Sequence, residues 1–324
     1  MVAHSDVDPC VDPVVNLRAH LALAAVVVVW AGSFSVIKAL LDDGVAAGDV
    51  ALWRYAVAAP GFALVLWRAG GLPGLTRGDA LRAASAGVLV VVGYHLFLNL
   101  GTEHTTSGVA ALVVALAPGM TLALSVAVGL ERLRPRHAVG LGIAFAGVAV
   151  VVGLGTGDEL SVESAKGPLI VLGAPLSFAL YNVLLKPLLG RYDLLALTAA
   201  TSLVGTLGLL PLVRPSTVDV VRDGSAATVA LVLYLGVLAT FLGYIAWNMG
   251  LRGLGPTRAV TYAYAIPPLA VLIGAVALDE PVTSWIVLGA VLVVGGIAVA
   301  QGVVSGRRSG SVGRWLSASS RSAS

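Results

Sequence analysis

Charge is what this sequence has least of. Of its 324 residues only 11% are Asp, Glu, Lys or Arg, while 58% are hydrophobic. A soluble domain needs roughly a quarter charged residues to cover its surface. A chain this long with so little charge cannot face water over most of its area, and it needs lipid as its solvent. Aromatics are sparse too, at 6%, so the apolar mass is Val, Leu, Ala and Gly. The one cysteine, Cys10, lies in a polar N-terminal stretch and permits no internal disulfide. The histidines His4, His20, His95, His104 and His137 are dispersed and show no H-E-x-x-H spacing. Asp-rich prenyltransferase motifs, G-x-S-x-G and a P-loop are also missing. The chain is therefore expected to be no enzyme and to hold neither metal nor cofactor.

Glycine and long apolar runs are what the sequence has in plenty. Thirty-nine glycines suit helices packed closely in lipid; disorder, the competing reading, needs low hydrophobicity. A transmembrane helix takes about 20 mainly apolar residues. Ten segments meet that length, at 19–41, 50–68, 80–100, 106–129, 137–155, 167–189, 193–213, 227–249, 257–277 and 282–304. The first follows Arg18, exceeds a signal-peptide core and has no A-x-A site after it, so it reads as an uncleaved helix. Residues 305–324 are Ser-rich with four arginines and read as a solvated tail.

Ten helices put both termini on one side. That side collects Arg18, Arg68, Arg77, Arg82, Arg132, Arg134, Arg136, Lys186, Arg191, Arg252, Arg258 and the tail arginines Arg307, Arg308, Arg314 and Arg321. The other side holds Lys166, Arg214 and Arg222. By the positive-inside rule, both termini are expected in the cytoplasm of a multi-pass cell-membrane protein. The net charge of +3 is then topological, and nucleic acid is not an expected partner.

An offset of 149 residues aligns Asn99 with Asn248, Gly101 with Gly250, Pro118 with Pro267 and Glu131 with Glu280. It also aligns Gly140 with Gly289, Gly147 with Gly296 and Gly153 with Gly302. Five helices per copy is an odd number, so the copies insert in opposite orientations. Their loops agree: bases follow Glu131, whereas Asp279 precedes Glu280. The expected fold is an all-α membrane protein of ten helices in two inverted five-helix repeats, an arrangement that suits two states open to opposite sides.

At this point the chain resembles the EamA-like branch of the drug/metabolite transporter superfamily, as two EamA domains over about residues 20–304. The resemblance rests on Trp30-Ala-Gly-Ser-Phe34 with Lys38, Arg54-Tyr55, Thr106-Ser107, Pro118, and Glu131 before the Gly140–Gly147 helix. The second copy keeps Pro267, Glu280, Gly289 and Gly296, but it lacks counterparts of Trp30 and Arg54. Repeat boundaries are expected at 19–155 and 167–304, after a tail of 1–18. The resemblance implies export or exchange of amino acids, other metabolites or drug-like compounds through a central cavity lined by both repeats. The alternatives are a multidrug efflux carrier, or a polytopic channel or sensor, although neither a charged ring nor a carbonyl filter is visible.

Candidate cavity residues are those that lipid should not tolerate. Lys38 and Arg54 fall inside predicted helices, where a base costs about 2.5–3.5 kcal/mol. Either they snorkel to the interface or they face the cavity and attract carboxylates; Asp42, Asp43 and Asp49 are near enough to pair with them. Trp30, Phe34 and Lys38 repeat every four residues and share a helix face. His95 and Asn99 are four apart, as are Tyr244 and Asn248, and the repeat overlays the two pairs. With Tyr181, Trp247 and Tyr264 these side chains either form interhelical glue or line the cavity. Pro118 and Pro267 fall mid-helix, as static bends or as hinges. Gly140 and Ala144 would admit another helix and leave a homodimer open, but Val293 breaks that spacing in the second copy. The expected partners are therefore a small-molecule substrate and the lipid bilayer.

Overall fold

The structure, a computed structural model, describes residues 13–154 and 162–302. The N-terminal stretch with Cys10, the Asp158-Glu159 loop and the basic tail lie outside the described residues. Apart from one isolated bridge between Leu189 and Tyr192, every regular element described is helical.

Ten helices are long and apolar enough to span a membrane. They are α1 (Leu17–Asp42), α2 (Ala47–Arg68), α3 (Arg77–Thr102), α4 (Ser107–Ala127), α5 (Pro135–Leu154), α6 (Ala165–Leu188), α7 (Leu194–Leu212), α8 (Ala226–Leu254), α9 (Arg258–Ala277) and α10 (Ser284–Gln301). Polar side chains punctuate the apolar runs and start them. Thr76, Thr106, Asp193, Ser225 and Thr283 each accept a hydrogen bond from a backbone N–H of the following first turn, which satisfies donors that lipid cannot.

The helices form two inverted five-helix repeats, and their packing obeys the inversion. Helices α2 and α7 pack on each other, as do α5 and α10; α1 packs on α8 and α9, as α6 packs on α3 and α4. The α5–α10 seam is the tightest. A methyl at Gly140 would fall on the Ala300 backbone nitrogen, and one at Gly147 would lie 2.8 Å from the Val293 nitrogen. The small-residue stripe that would admit another helix is therefore occupied from within the chain. Val293 fits because it is the neighbour of Gly147 in that seam.

Two irregularities recur at the 149-residue offset. Helix α4 is interrupted at Ala115–Leu116 and α9 at Tyr264–Ala265. Pro118 and Pro267 thus sit in the first turn of a second segment, Ala117–Ala127 or Ile266–Ala277, where a missing N–H costs nothing. The sequence suggested bends in continuous helices; the helices are discontinuous. Helices α3 and α8 also widen to π geometry, over Leu89–Gly93 and Tyr234–Leu242. Such stretches insert a residue into the turn and redirect side chains, often at functional sites.

One feature breaks the symmetry. The first segment of α4, Ser107–Val114, is buried from Ser107 to Val113 and packs on α1 and on the second segment of α9. Its counterpart, Pro256–Ala263, packs chiefly on α1 and α8, and the second segment of α4 packs chiefly on α6. At the end of the bundle holding Glu103 and Asp279, here the acidic end, α4 and α9 are closed on each other. At the basic end, with Arg132 and Arg258, they are apart.

Candidate functional site

The middle of the bundle carries a polar and aromatic cluster assembled from both repeats. Arg54, two turns into α2, is 8% exposed. Its Nε donates to Thr240 Oγ1 at 2.7 Å. Thr240 lies in the π-wound stretch of α8 and donates in turn to the Leu235 carbonyl five residues back. The widened turn thus supplies an acceptor for the guanidinium.

Neutral groups surround this cation. Tyr55 O–H and His95 Nε2 are 3.0 Å apart, and Tyr94 packs edge-on against His95 and against Phe178. Arg54 interacts electrostatically with Tyr55, Tyr94, His95 and Tyr234. Tyr244 interacts electrostatically with Tyr55, Tyr94 and Tyr181. Trp30 donates its ring N–H to the Ala239 carbonyl at 2.8 Å and packs on Tyr244 and Trp247. Among the described residues, no carboxylate pairs with Arg54. Asp42 takes Lys38 at 2.6 Å. Asp49, which the sequence offered as a partner, accepts instead from Thr217 at 2.5 Å, in the short helix Pro215–Arg222 that covers the acidic end.

Three buried side-chain polar atoms on α3 and α8 have no partner among the described residues: the acceptors Asn99 Oδ1 and Asn248 Oδ1, and His95 Nδ1, which donates or accepts according to the ring tautomer. The Asn99 amide donates to the Ala47 carbonyl at 2.9 Å and the Asn248 amide to the Tyr244 carbonyl at 2.8 Å. The two asparagines therefore sit toward opposite ends of the bundle, as the inversion requires. A cation with no carboxylate partner, flanked by aromatic rings, can hold a small anion or zwitterion. Among the described residues no group of His, Cys, Asp and Glu could hold a metal ion.

The structure brings Trp30, Arg54, His95, Tyr181, Tyr244 and Trp247 together and leaves other candidates elsewhere. Phe34 is buried in the main apolar core with Ala110, Ala111 and Leu112. Lys38 lies at the acidic end with Asp42. Tyr264 bonds to Gln301 on α10. Two concavities also avoid the cluster: a 490 Å³ crevice at the acidic end, lined by Asp43, Asp219 and Asp223, and a 430 Å³ lateral groove lined by Gly32, Ser35 and Tyr234. Sequence reasoning missed Tyr94, Phe178 and Thr240. A buried arginine demands an acceptor, and Thr240 is the lone hydroxyl between Tyr234 and Tyr244 on α8. That demand was the available signal.

The family model of the "EamA-like transporter family" matches this chain twice, over residues 17–153 and 165–301. An "uncharacterized transporter" of Archaeoglobus fulgidus is 30% identical over 292 residues, 87% of this chain and 98% of that protein. A "probable terminal-alkyne amino-acid exporter" of Streptantibioticus cattleyicolor is 30% identical over 294 residues, 90% of this chain and 96% of that one. A "probable amino-acid metabolite efflux pump" of Escherichia coli is 27% identical over 206 residues, 60% of this chain and 67% of its own. A solved structure described only as a protein crystal structure shares the fold at a TM-score of 0.58 and 20% identity, covering 89% of this chain and 97% of that one.

Proposed function

Because the chain belongs to the EamA-like transporter family, we propose that it exports or exchanges small carboxylate-bearing metabolites, amino acids among them, by alternating access. Arg54 carries this reading. A guanidinium with no acid beside it is costly inside a membrane protein, and a substrate carboxylate removes that cost. Thr240 takes Nε, which leaves the two terminal nitrogens as a fork matched to a carboxylate. The unpartnered ring nitrogen of His95 suits a polar substituent of the substrate, and the rings of Trp30, Tyr94 and Tyr244 suit an apolar side chain. The names borne by the Streptantibioticus and Escherichia relatives point the same way. Organic-cation efflux fits less well, since the cluster is cationic and holds no acid.

The basic end is assigned to the cytoplasm of the cell membrane by its arginines, and the acidic end to the outside. The test is counterflow in proteoliposomes, with amino acids and their carboxamides as competitors. Wild-type protein should exchange the acids and ignore the amides, and Arg54→Gln should lose exchange by at least about tenfold, the scale of one buried charged contact. Full exchange by Arg54→Gln with an unchanged substrate range would refute the assignment.

A further inference from the structure

The α9–α10 connection does more than join two helices. Past the end of α9, Asp279 adopts φ 52°, a left-handed conformation that Asp tolerates better than most residues. The chain there folds back so that the Glu280 N–H donates to the Gly274 carbonyl at 3.3 Å. The Glu280 side chain is thereby carried to the start of α4, 173 residues away in sequence. It accepts the Ser107 N–H at 2.6 Å, the Gly108 N–H at 3.2 Å and the Ser107 hydroxyl at 2.8 Å. Thr106 takes the next donor, its hydroxyl accepting from Val109, and its carbonyl accepts the first bond within the helix, from Ala110. Three otherwise free N–H groups of this helix start are thus satisfied, two of them by a carboxylate from the other repeat, at the end where the helix dipole favours negative charge. Ser35 of α1 joins the chain through the Ser107 hydroxyl at 3.3 Å. A methyl at Gly274 would make the Glu280 carboxylate and the Ser107 hydroxyl shift from these positions.

The first repeat makes the same backbone turn, with Ser125 in place of Gly274 and Pro256 in place of Ser107 at the target. After α4 the Glu131 N–H donates to the carbonyl of Ser125, the counterpart of Gly274, at 3.1 Å. Glu131 therefore starts from the equivalent backbone position. By the 149-residue offset its target is the start of the α9 helix, where Gly255 offers no capping side chain and Pro256, in the place of Ser107, has no N–H, so the Thr257 N–H is the donor left for a carboxylate. Yet Glu131 is not there. It is 43% exposed and paired with Lys186 of α6 at 2.9 Å. The end of the bundle where the carboxylate is engaged is the end where α4 and α9 are closed; the end where it is disengaged is the end where they are apart.

We propose that Glu280 and Glu131 are alternating latches of the two gates. Glu280 caps α4 when the acidic end is closed, Glu131 caps α9 when the basic end is closed, and engagement of one requires release of the other. In the present state Lys186 holds the released Glu131. The interruptions before Pro118 and Pro267 let each capped segment move apart from the rest of its helix. The proposal rests on the alternating-access reading above, and its test separates the two.

A reporter Tyr181→Cys, in a Cys10→Ala background, is labelled by a membrane-impermeant thiol reagent in spheroplasts and in inverted vesicles. Glu103→Cys serves as the marker of the acidic face. Glu280→Gln should speed labelling of the reporter from the acidic face by roughly tenfold, within the usual range of conformational coupling. Glu131→Gln should slow it from that face, and the double variant should return toward wild type. Ser107→Ala, which removes one of the three bonds and leaves the fold intact, should shift labelling in the same direction as Glu280→Gln by less, and it decides the matter if Glu280→Gln fails to insert. Unchanged labelling in both Glu280→Gln and Ser107→Ala overturns the latch while alternating access stands. Faster labelling from both faces in every variant also overturns it, as a general loosening. A wild-type reporter that reacts equally and simultaneously from both faces sinks alternating access itself and the latch with it.

Discussion

Arg54 Nε and Thr240 Oγ1, 2.7 Å apart, join the first half of α2 in the first repeat to the π-wound stretch of α8 in the second. The bond crosses the boundary between repeats at the point where a substrate carboxylate would sit, so it fixes the direction in which the guanidinium fork points. Hydrogen bonds to buried charges contribute about 1.5–3 kcal/mol. Thr240→Val keeps the shape and deletes the acceptor. It should lower the melting temperature of the purified protein and raise the half-saturating substrate concentration, whereas Thr240→Ser should restore both. Identical behaviour of the valine and serine variants would show that the contact orients nothing.

A second expectation concerns the α5–α10 seam, where backbones touch. At Gly140 an added methyl would meet the Ala300 nitrogen and the Gly296 carbonyl, while at Gly142, two residues on, nothing lies within 4 Å. Gly140→Ala should therefore force the helices apart and cost about 1–3 kcal/mol. Gly142→Ala should be neutral or stabilise by about 0.4–1 kcal/mol, because alanine restricts the unfolded chain. Thermal unfolding in detergent, read by intrinsic fluorescence, separates them. Equal melting temperatures would contradict the seam.

How much of this was legible beforehand follows from what each residue needed. Hydropathy located all ten helices because lipid demands long apolar runs, and the recurrence of Asn99, Pro118 and Glu131 as Asn248, Pro267 and Glu280 exposed the inversion. Arg54 stood out because its charge is anomalous at that depth. Thr240 did not, since a hydroxyl is cheap in a helix and becomes informative only once its partner is placed. Lys38 and Arg54 looked alike in sequence, yet Lys38 finds Asp42 one turn away and Arg54 pairs with no acid among the described residues. The π-stretches were invisible, since no local residue pattern marks them; the breaks were half legible, because Pro118 and Pro267 lack an N–H and crowd the preceding turn, which signals a disturbance without saying whether the helix bends or stops.

The central aromatics give a third expectation. Trp30 holds the Ala239 carbonyl through its ring N–H and stacks on Trp247 with centroids 5.4 Å apart. Trp30→Phe keeps the apolar wall but strands that carbonyl, and Trp30→Ala loses both. Large-to-small core changes at tryptophan cost about 3–5 kcal/mol, so the alanine variant should be poorly folded. The phenylalanine variant should fold and discriminate less well between bulky and small amino acids in counterflow. Unaltered selectivity in a folded Trp30→Phe protein would remove Trp30 from the substrate wall.

The last expectation concerns pH and lies at the basic end. Asp79, in the first turn of α3, accepts the Tyr192 hydroxyl at 2.9 Å and pairs with Arg191 at 2.9 Å and with Arg82 at 3.5 Å. This ties the first repeat to the α6–α7 connection. Tyr192 lies outside the membrane-spanning helices, and its phenol is raised above its ordinary value of 10.0, first by desolvation and then by the bond to Asp79 and the negative charge there; Arg191 acts in the opposite direction. The neutral phenol is therefore the form the folded state prefers. A group whose value is raised on folding contributes its stability in full below the unfolded value and loses it as pH climbs through the folded one. The difference in melting temperature between wild type and Tyr192→Phe should hold steady from pH 7 to about 10 and shrink above that, as the phenolate and the Asp79 carboxylate come to repel each other. A difference that stays constant through about pH 11 would mean that the Tyr192 proton is not what binds the two repeats at this end.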